Sequence, residues 1–241
     1  MLLFNSAEEL LAEAKQVCFQ APENLKESIE PYFISRYFVA IYEARHGEIP
    51  IQVWNEYRNA LDHLFRHLVS SESNSGQVSS AQKHFLRAAL DILKLHIHKT
   101  QISINEIKKA VDPNALRLVD NGDFITQLNK DIPEAMDLFE SAKINDSKLG
   151  DDINKNSSVL AEYLNAAFAF EHISIEINKK QHAIESAIHQ YKNIHGIGHK
   201  HSIASGIFIH LMSAAIGAIL VLVYKERSMI LEFLISLGEM N

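Results

Sequence analysis

The sequence predicts an all-α protein: a helical bundle, then a long helix and a single C-terminal transmembrane helix. Three observations lead to this fold class. Apolar residues recur at steps of three and four along most of the chain. Capping boxes, in which a Ser side chain and a Glu or Gln satisfy free backbone N–H groups, precede several of these runs. Residues 203–224 contain no Asp, Glu, Lys or Arg.

Composition excludes several kinds of protein and indicates a cellular compartment. The chain has 241 residues, a net charge of −7, 47% hydrophobic residues and 22% charged residues, which is ordinary for a folded protein. Its single cysteine, Cys18, excludes a disulfide framework and a Cys-rich zinc site, and indicates a reducing compartment. The first residues lack the long apolar run of a secretory signal. We therefore expect the bulk of the chain on the cytoplasmic side.

Residues that typically begin or end a helix indicate the bounds of the N-terminal helices. A capping box at residues 6–9 begins the first helix. Pro22 begins the second helix, and Pro31 either kinks this helix or starts the next one. Gly47 is the expected stop.

Two longer helices are expected next. Pro50 begins a helix over residues 51–70, and a capping box begins another that ends near residue 99. Because the loop between them is short, we expect an antiparallel hairpin. The helix over residues 51–70 is predicted to bury Trp54, Tyr57, Leu61, Leu64, Phe65 and Leu68. The helix that ends near residue 99 is predicted to bury Phe85, Leu86, Ala89, Leu93 and Ile97.

The remaining helices are predicted at residues 103–112, 131–142 and 157–194. Asn121 and Gly122 predict a tight turn, and residues 143–156 an exposed linker. The resulting organisation is a bundle over residues 1–150, a long helix with a His-rich hinge over 151–201, a span over 202–225 and a tail over 226–241.

Residues 203–224 are predicted to form the membrane span. A helix of this length is about 33 Å long, enough to cross a bilayer core. Polar and small residues within it favour packing among copies of the helix; these are His210, Ser213 and Gly217. The alternative is a buried helix of a soluble bundle. The predicted location is the inner membrane.

Arg58 and His63 lie five residues apart in the helix over residues 51–70, and the polar Asn59 follows the arginine. This pattern resembles the Arg-x4–6-His motif of HEPN-domain proteins, small all-helical bundles of which many are metal-independent ribonucleases that act as dimers. The resemblance implies that Arg58 holds a scissile phosphate, that His63 moves the 2′-hydroxyl proton and that Asn59 supports them. Alternatively, Arg58, Asp62 and Arg66 form a ladder of surface ion pairs.

Further basic residues lie on the polar sides of the same two helices. We expect them to contact the phosphates of an anionic partner, and they are Arg66, His67, Lys83, His84 and Arg87. A separate group, His182, Glu185 and His189, has a spacing that suits metal ligands, but such residues are also usual at a lipid interface. No metal and no cofactor is predicted.

The resemblance and the predicted span together imply an oligomeric, membrane-anchored effector or accessory protein of a prokaryotic antiviral system. RNA-guided CRISPR systems are one kind of system in which such proteins occur. In this interpretation the bundle assembles the spans into a pore. Two alternatives stay open: a membrane-tethered, metal-independent endoribonuclease that uses Arg58 and His63, and a tail-anchored scaffold. The predicted partners are further copies of the chain, membrane lipids, and RNA or an RNA-guided nuclease complex.

Overall fold

The computed structural model describes residues 4–19, 25–69, 75–148 and 153–195, and these residues form α-helices without a strand. A 3₁₀ turn, Val119–Gly122, lies between the fifth and sixth helices. The helices are α1 (Ala7–Phe19), α2 (Lys26–His46), α3 (Ile51–Val69), α4 (Ser75–Ala110), α5 (Pro113–Leu116), α6 (Asp123–Lys148), α7 (Ile153–Lys179) and α8 (Gln181–His195).

The central element of the bundle is α4. Three other helices, α2, α3 and α7, pack against it, while α1 packs on α2, α6 on α7, and α5 on α8. The predicted packing of α3 against α4 is confirmed. The side chains predicted to face inward from α4 are all buried: Phe85, Leu86, Ala89, Leu93 and Ile97.

Several predicted helix ends are confirmed by their hydrogen bonds. The Ser6 hydroxyl accepts the Glu9 N–H at 3.2 Å, as the capping box requires. Gly47 adopts a left-handed conformation with φ of 63°, and its N–H donates to the Glu43 carbonyl at 2.9 Å. Such a conformation is available to glycine without strain, so Gly47 ends α2 where expected.

Packing overrides other predicted ends. The helix α4 continues to Ala110 instead of ending near residue 99. Ser103 does not begin a new helix, because its hydroxyl donates back to the Lys99 carbonyl at 3.1 Å. Thr100 and Ile104 are buried, so the core holds this turn in the helix. The long helix predicted over residues 157–194 breaks at Lys180 into α7 and α8.

The buried face of α3 differs from the predicted one. Val53, Tyr57 and Ala60 are buried, and Leu64 packs against the core. The apolar positions of α3 cover a wider sector than α4 can bury, and spacing alone does not show which half faces inward. Small residues allow closer approach of two helices, which fits Val53 and Ala60 at the contact. Four residues predicted as core are instead exposed: Trp54, Leu61, Phe65 and Leu68.

The predicted fold class requires a correction. Within the described part of the chain, every helix is too short or too polar to traverse a bilayer. This contradicts a fold that ends in a transmembrane helix, and the all-α character is the part that stands. The segment predicted to span, residues 203–224 with His210, Ser213 and Gly217, lies outside the described residues.

Candidate functional site

A cluster of charged side chains lies in the core where α2, α4 and α7 meet. Glu171 of α7 has no solvent exposure, and its two carboxylate oxygens accept hydrogen bonds from the guanidinium of Arg45 at the end of α2. His96 of α4, also fully buried, lies with Nε2 at 2.6 Å from one of the same oxygens. We call these three residues the buried ionic cluster.

The pKa of Glu171 shows how strongly this cluster is coupled. Burial alone would raise the pKa of the carboxyl group, but the charges of Arg45 and His96 and their hydrogen bonds outweigh burial. The pKa is therefore held well below its usual range, and Glu171 is ionised inside the core. A carboxylate in this position is stable only while both partners remain in place.

His46 lies beside the buried ionic cluster. Burial is the main cause that lowers the pKa of its imidazole to about 4, and the positive charges of Lys99 and Arg45 lower it further. Among the described residues, neither Nε2 of His46 nor Nδ1 of His96 has a hydrogen-bond partner, although both atoms are buried. His46 is thus neutral at physiological pH.

A second layer of polar contacts holds the α2–α3 connection. The Tyr42 hydroxyl donates to Glu48 at 2.7 Å, and the Lys99 ammonium donates to the other oxygen of Glu48 at 2.9 Å. These two hydrogen bonds are the main reasons that the pKa of Glu48 is lowered. They attach the short loop after α2 to α4, and so they set the direction in which α3 leaves the core.

Sequence reasoning missed the buried ionic cluster. Its members are far apart in the chain, since Glu171 lies 126 positions after Arg45, so no local motif joins them. A signal was nevertheless present. Glu171 directly follows the apolar run at residues 166–170, and His96 lies between Leu95 and Ile97. Ionisable residues inside apolar runs require a buried partner.

The structure does not bring Arg58 and His63 together within one chain. Five residues along an α-helix correspond to a rotation of roughly 140° about its axis. Arg58 is exposed, whereas His63 is half-buried and its Nδ1 lies 2.7 Å from the side-chain oxygen of Gln77 on α4. Asn59 is half-buried between them. Of the expected ladder, the pair of Asp62 with Arg66 forms, at 2.9 Å.

His63 stacks on a second histidine, His84 of α4. The two rings are nearly parallel, with centroids 5.3 Å apart. Nδ1 of His84 lies 2.6 Å from a carboxylate oxygen of Glu56. In the neutral tautomer with hydrogen on Nδ1, each ring donates to the oxygen that faces it and keeps a lone pair on Nε2. We call His63 and His84 the histidine pair.

The residues expected to contact an anionic partner lie in and around this pair and differ in their exposure to solvent. Arg66, Lys83 and Arg87 are exposed, whereas His67 and His84 are half-buried. Glu56 and Asp62 place negative charge among them. The described residues contain no group of three or more His, Cys, Asp or Glu side chains placed to hold a metal ion. His182, from the group with metal-ligand spacing, is almost fully exposed and pairs only with Glu185, at 3.7 Å.

Large apolar side chains cover a face of α3 that points away from the core. We call it the outer face of α3; it consists of Ile51, Trp54, Arg58, Leu61, Phe65 and Leu68. Its apolar members are respectively 67%, 47%, 47%, 61% and 74% exposed. With Arg58 included, the six positions advance in alternating steps of three and four, which is the spacing of a and d positions in a coiled coil. The indole N–H of Trp54 donates to Glu43 of α2 at 3.1 Å.

Comparisons of the chain with protein-family models, with curated proteins and with solved structures found no match. The resemblance to HEPN proteins therefore stays a prediction that depends on residues 58–63 and their helical surroundings.

Replacing Glu171 with Ala should lower the free energy of unfolding by about 3–5 kcal/mol, because Arg45 would lose the carboxylate that neutralises it and His96 would lose its hydrogen-bond partner. Urea denaturation followed by circular dichroism measures this change. Glu185→Ala is the matched control, since Glu185 is exposed and its partners, His182 and Gln181, lie with it at the surface of α8. It should change stability by less than about 0.5 kcal/mol. An equally small loss in Glu171→Ala would contradict the structural role of the cluster.

Stability should also fall as the pH drops from about 6.5 towards 4, because of His46. In the unfolded chain this histidine takes up a proton near pH 6.5, whereas in the folded chain it does so only near pH 4. The unfolded state thus binds more protons within this window, which favours unfolding. The contribution of Glu171 to stability declines only below about pH 4.5, the usual pKa of its carboxyl group, so the upper part of the window separates the effect of His46 from that of Glu171.

The pH test compares the wild type with His46→Gln, using urea unfolding at a series of pH values. The variant should show a flatter decline between pH 6.5 and pH 4.5, because a glutamine takes up no proton. His98→Gln, which changes an exposed histidine of α4, serves as the control and should keep the wild-type slope. Equal slopes in His46→Gln and the wild type would show that His46 does not resist protonation.

Proposed function

We propose that this chain is an assembly protein that forms homo-oligomers through the outer face of α3. One observation carries the proposal: five large apolar side chains lie exposed on one face of one helix, at coiled-coil spacing. Monomeric soluble proteins rarely leave a contiguous apolar patch of this kind uncovered, and such patches mark interaction sites.

Other exposed apolar residues of the described chain do not form a comparable stripe. Leu118 lies in the turn after α5, and on α6 the exposed residues Leu138 and Ile144 are six positions apart and so do not continue one face at steps of three and four. Scattered exposed residues of this kind are normal on a protein surface. The outer face of α3 is distinguished by its periodicity, which runs through five turns of helix.

A second copy of the chain is a suitable partner for this face. A helix with apolar a and d positions packs against an identical helix, with the side chains of each filling the spaces of the other. Closed pairs of identical subunits, in which the same patch is used twice, are the commonest oligomers. For the biological setting we keep the one implied by the Arg58 and His63 pattern, a prokaryotic antiviral system.

Substitution at the centre of the outer face should separate the subunits. In Phe65→Glu a charge replaces an aromatic side chain that would be buried between copies. The dissociation constant of the oligomer should therefore rise by at least about 30-fold. Light scattering coupled to gel filtration measures the mass over a range of concentrations.

The matched control for this experiment is Ile144→Glu, which places the same charge at an exposed isoleucine of α6. This variant should keep the wild-type mass. A monomeric wild type at every concentration, or an unchanged mass in Phe65→Glu, would overturn self-association through α3.

RNA cleavage is a second candidate function, favoured by the histidine pair. One neutral imidazole would take the 2′-hydroxyl proton through Nε2 while the 2′-oxygen attacks phosphorus. As that bond forms, the bond to the 5′-oxygen breaks, and the other imidazole, in its protonated form, donates a proton to this leaving oxygen. Glu56 and Gln77, which bond the two Nδ1 atoms, would fix both rings.

If the histidine pair cleaves RNA, His63→Ala and His84→Ala should each lower the rate by roughly 10²- to 10⁴-fold. A fluorogenic single-stranded RNA provides the assay. His98→Ala, at an exposed position of the same helix as His84, should keep full activity. A wild type without cleavage, or a His84→Ala variant with unchanged cleavage, would exclude this function for the pair.

A further inference from the structure

We infer that two copies of α3 pair in antiparallel orientation about a two-fold axis, with Arg58 of each copy bonded to Asp62 of the other. The inference rests on the proposed self-association and adds its geometry. It begins from the one charged residue of the outer face. Arg58 lies three residues before Leu61 and four after Trp54, in the middle of an otherwise apolar stripe.

A charge at the centre of such an interface needs an opposite charge beside it, because desolvating an unpaired guanidinium is strongly unfavourable. In a parallel pair of helices, equivalent positions face each other. The two Arg58 side chains would then meet across the interface and repel. The position of Arg58 thus disfavours the parallel arrangement.

An antiparallel pair solves this problem. When the axis crosses the outer face at the level of residues 59 and 60, each a position faces a d position of the other copy, so that Ile51 faces Leu68 and Trp54 faces Phe65. Arg58 then lies beside Leu61 of the second copy and next to its Asp62. Two-fold symmetry repeats every contact, so two ion pairs form, one on each side of the axis.

Asp62 is free to change its partner. In the single chain it bonds Arg66 at 2.9 Å, but both side chains are more than half exposed. Exposed pairs one helical turn apart contribute little to stability.

Charge exchange tests the ion pair. Arg58→Asp and Asp62→Arg should each weaken the dimer by at least tenfold, because each places like charges together. The double variant Arg58→Asp/Asp62→Arg restores opposite charges and should return the dissociation constant to within about threefold of the wild type. Sedimentation velocity measures the constant, and the emission of Trp54, the single tryptophan of the chain, provides an independent reading on dilution.

Lys130 and Glu134 provide the matched control. They form an exposed pair with the same four-residue spacing on α6, at 4.0 Å. Lys130→Asp alters the net charge as much as Arg58→Asp does, so an equal effect of both would mean that overall charge, and not this contact, controls the dimer. Failure of the double variant to recover would likewise overturn the Arg58–Asp62 pair.

Orientation is measured separately with a spin label at Gln52, an exposed position near the start of α3, in a Cys18→Ser background. In the antiparallel dimer the two labelled positions are about 22 Å apart along the helix axis, whereas a parallel dimer brings them to about 10 Å. The short distance would overturn the inference while leaving self-association intact. A wild type that stays monomeric would overturn both, and shielding of Trp54 from acrylamide in that monomer would show that another segment of the chain covers the face.

Discussion

An ionised carboxylate without access to water, Glu171, is stable in the core only while Arg45 and His96 remain bonded to it. The three residues come from α7, α2 and α4, so the chain cannot separate any one of these helices without leaving a buried charge unpaired. Apolar packing alone would allow the helices to slide or rotate with modest loss. The buried ionic cluster therefore selects one arrangement of the three, and this arrangement carries the other elements.

The position of α3 follows from that core. Gly47 ends α2 one residue after His46, and Glu48 is bonded to both Tyr42 and Lys99. The loop is thus attached to α4 close to the buried ionic cluster, and α3 begins only three residues later. Within the bundle α3 packs chiefly against α4. A helix with an apolar sector wider than one neighbour can cover retains exposed apolar surface, and the outer face is that surface.

Helical spacing and capping residues predicted the all-α character, the packing of α3 on α4 and the buried side of α4. They failed where distant contacts decide. Ser103 has the local chemistry of a helix start, but the buried residues around it keep α4 continuous. On α3 the pattern identified the apolar positions and not the side that meets α4. The buried ionic cluster depends on residues that only the folded chain brings together, so no spacing rule reveals it.

The same geometry changes the meaning of the motif at residues 58–63. Within one helix, Arg58 points to the outer face while His63 turns towards α4 and stacks on His84. A single chain therefore cannot direct both side chains at one phosphate. The proposed chemistry at the histidine pair and the proposed contact of Arg58 are therefore separate, because the first depends on the α3–α4 contact and the second on another copy of the chain. In the proposed dimer the charge of Arg58 is neutralised by Asp62, which makes this arginine a determinant of orientation and removes it as a ligand for phosphate.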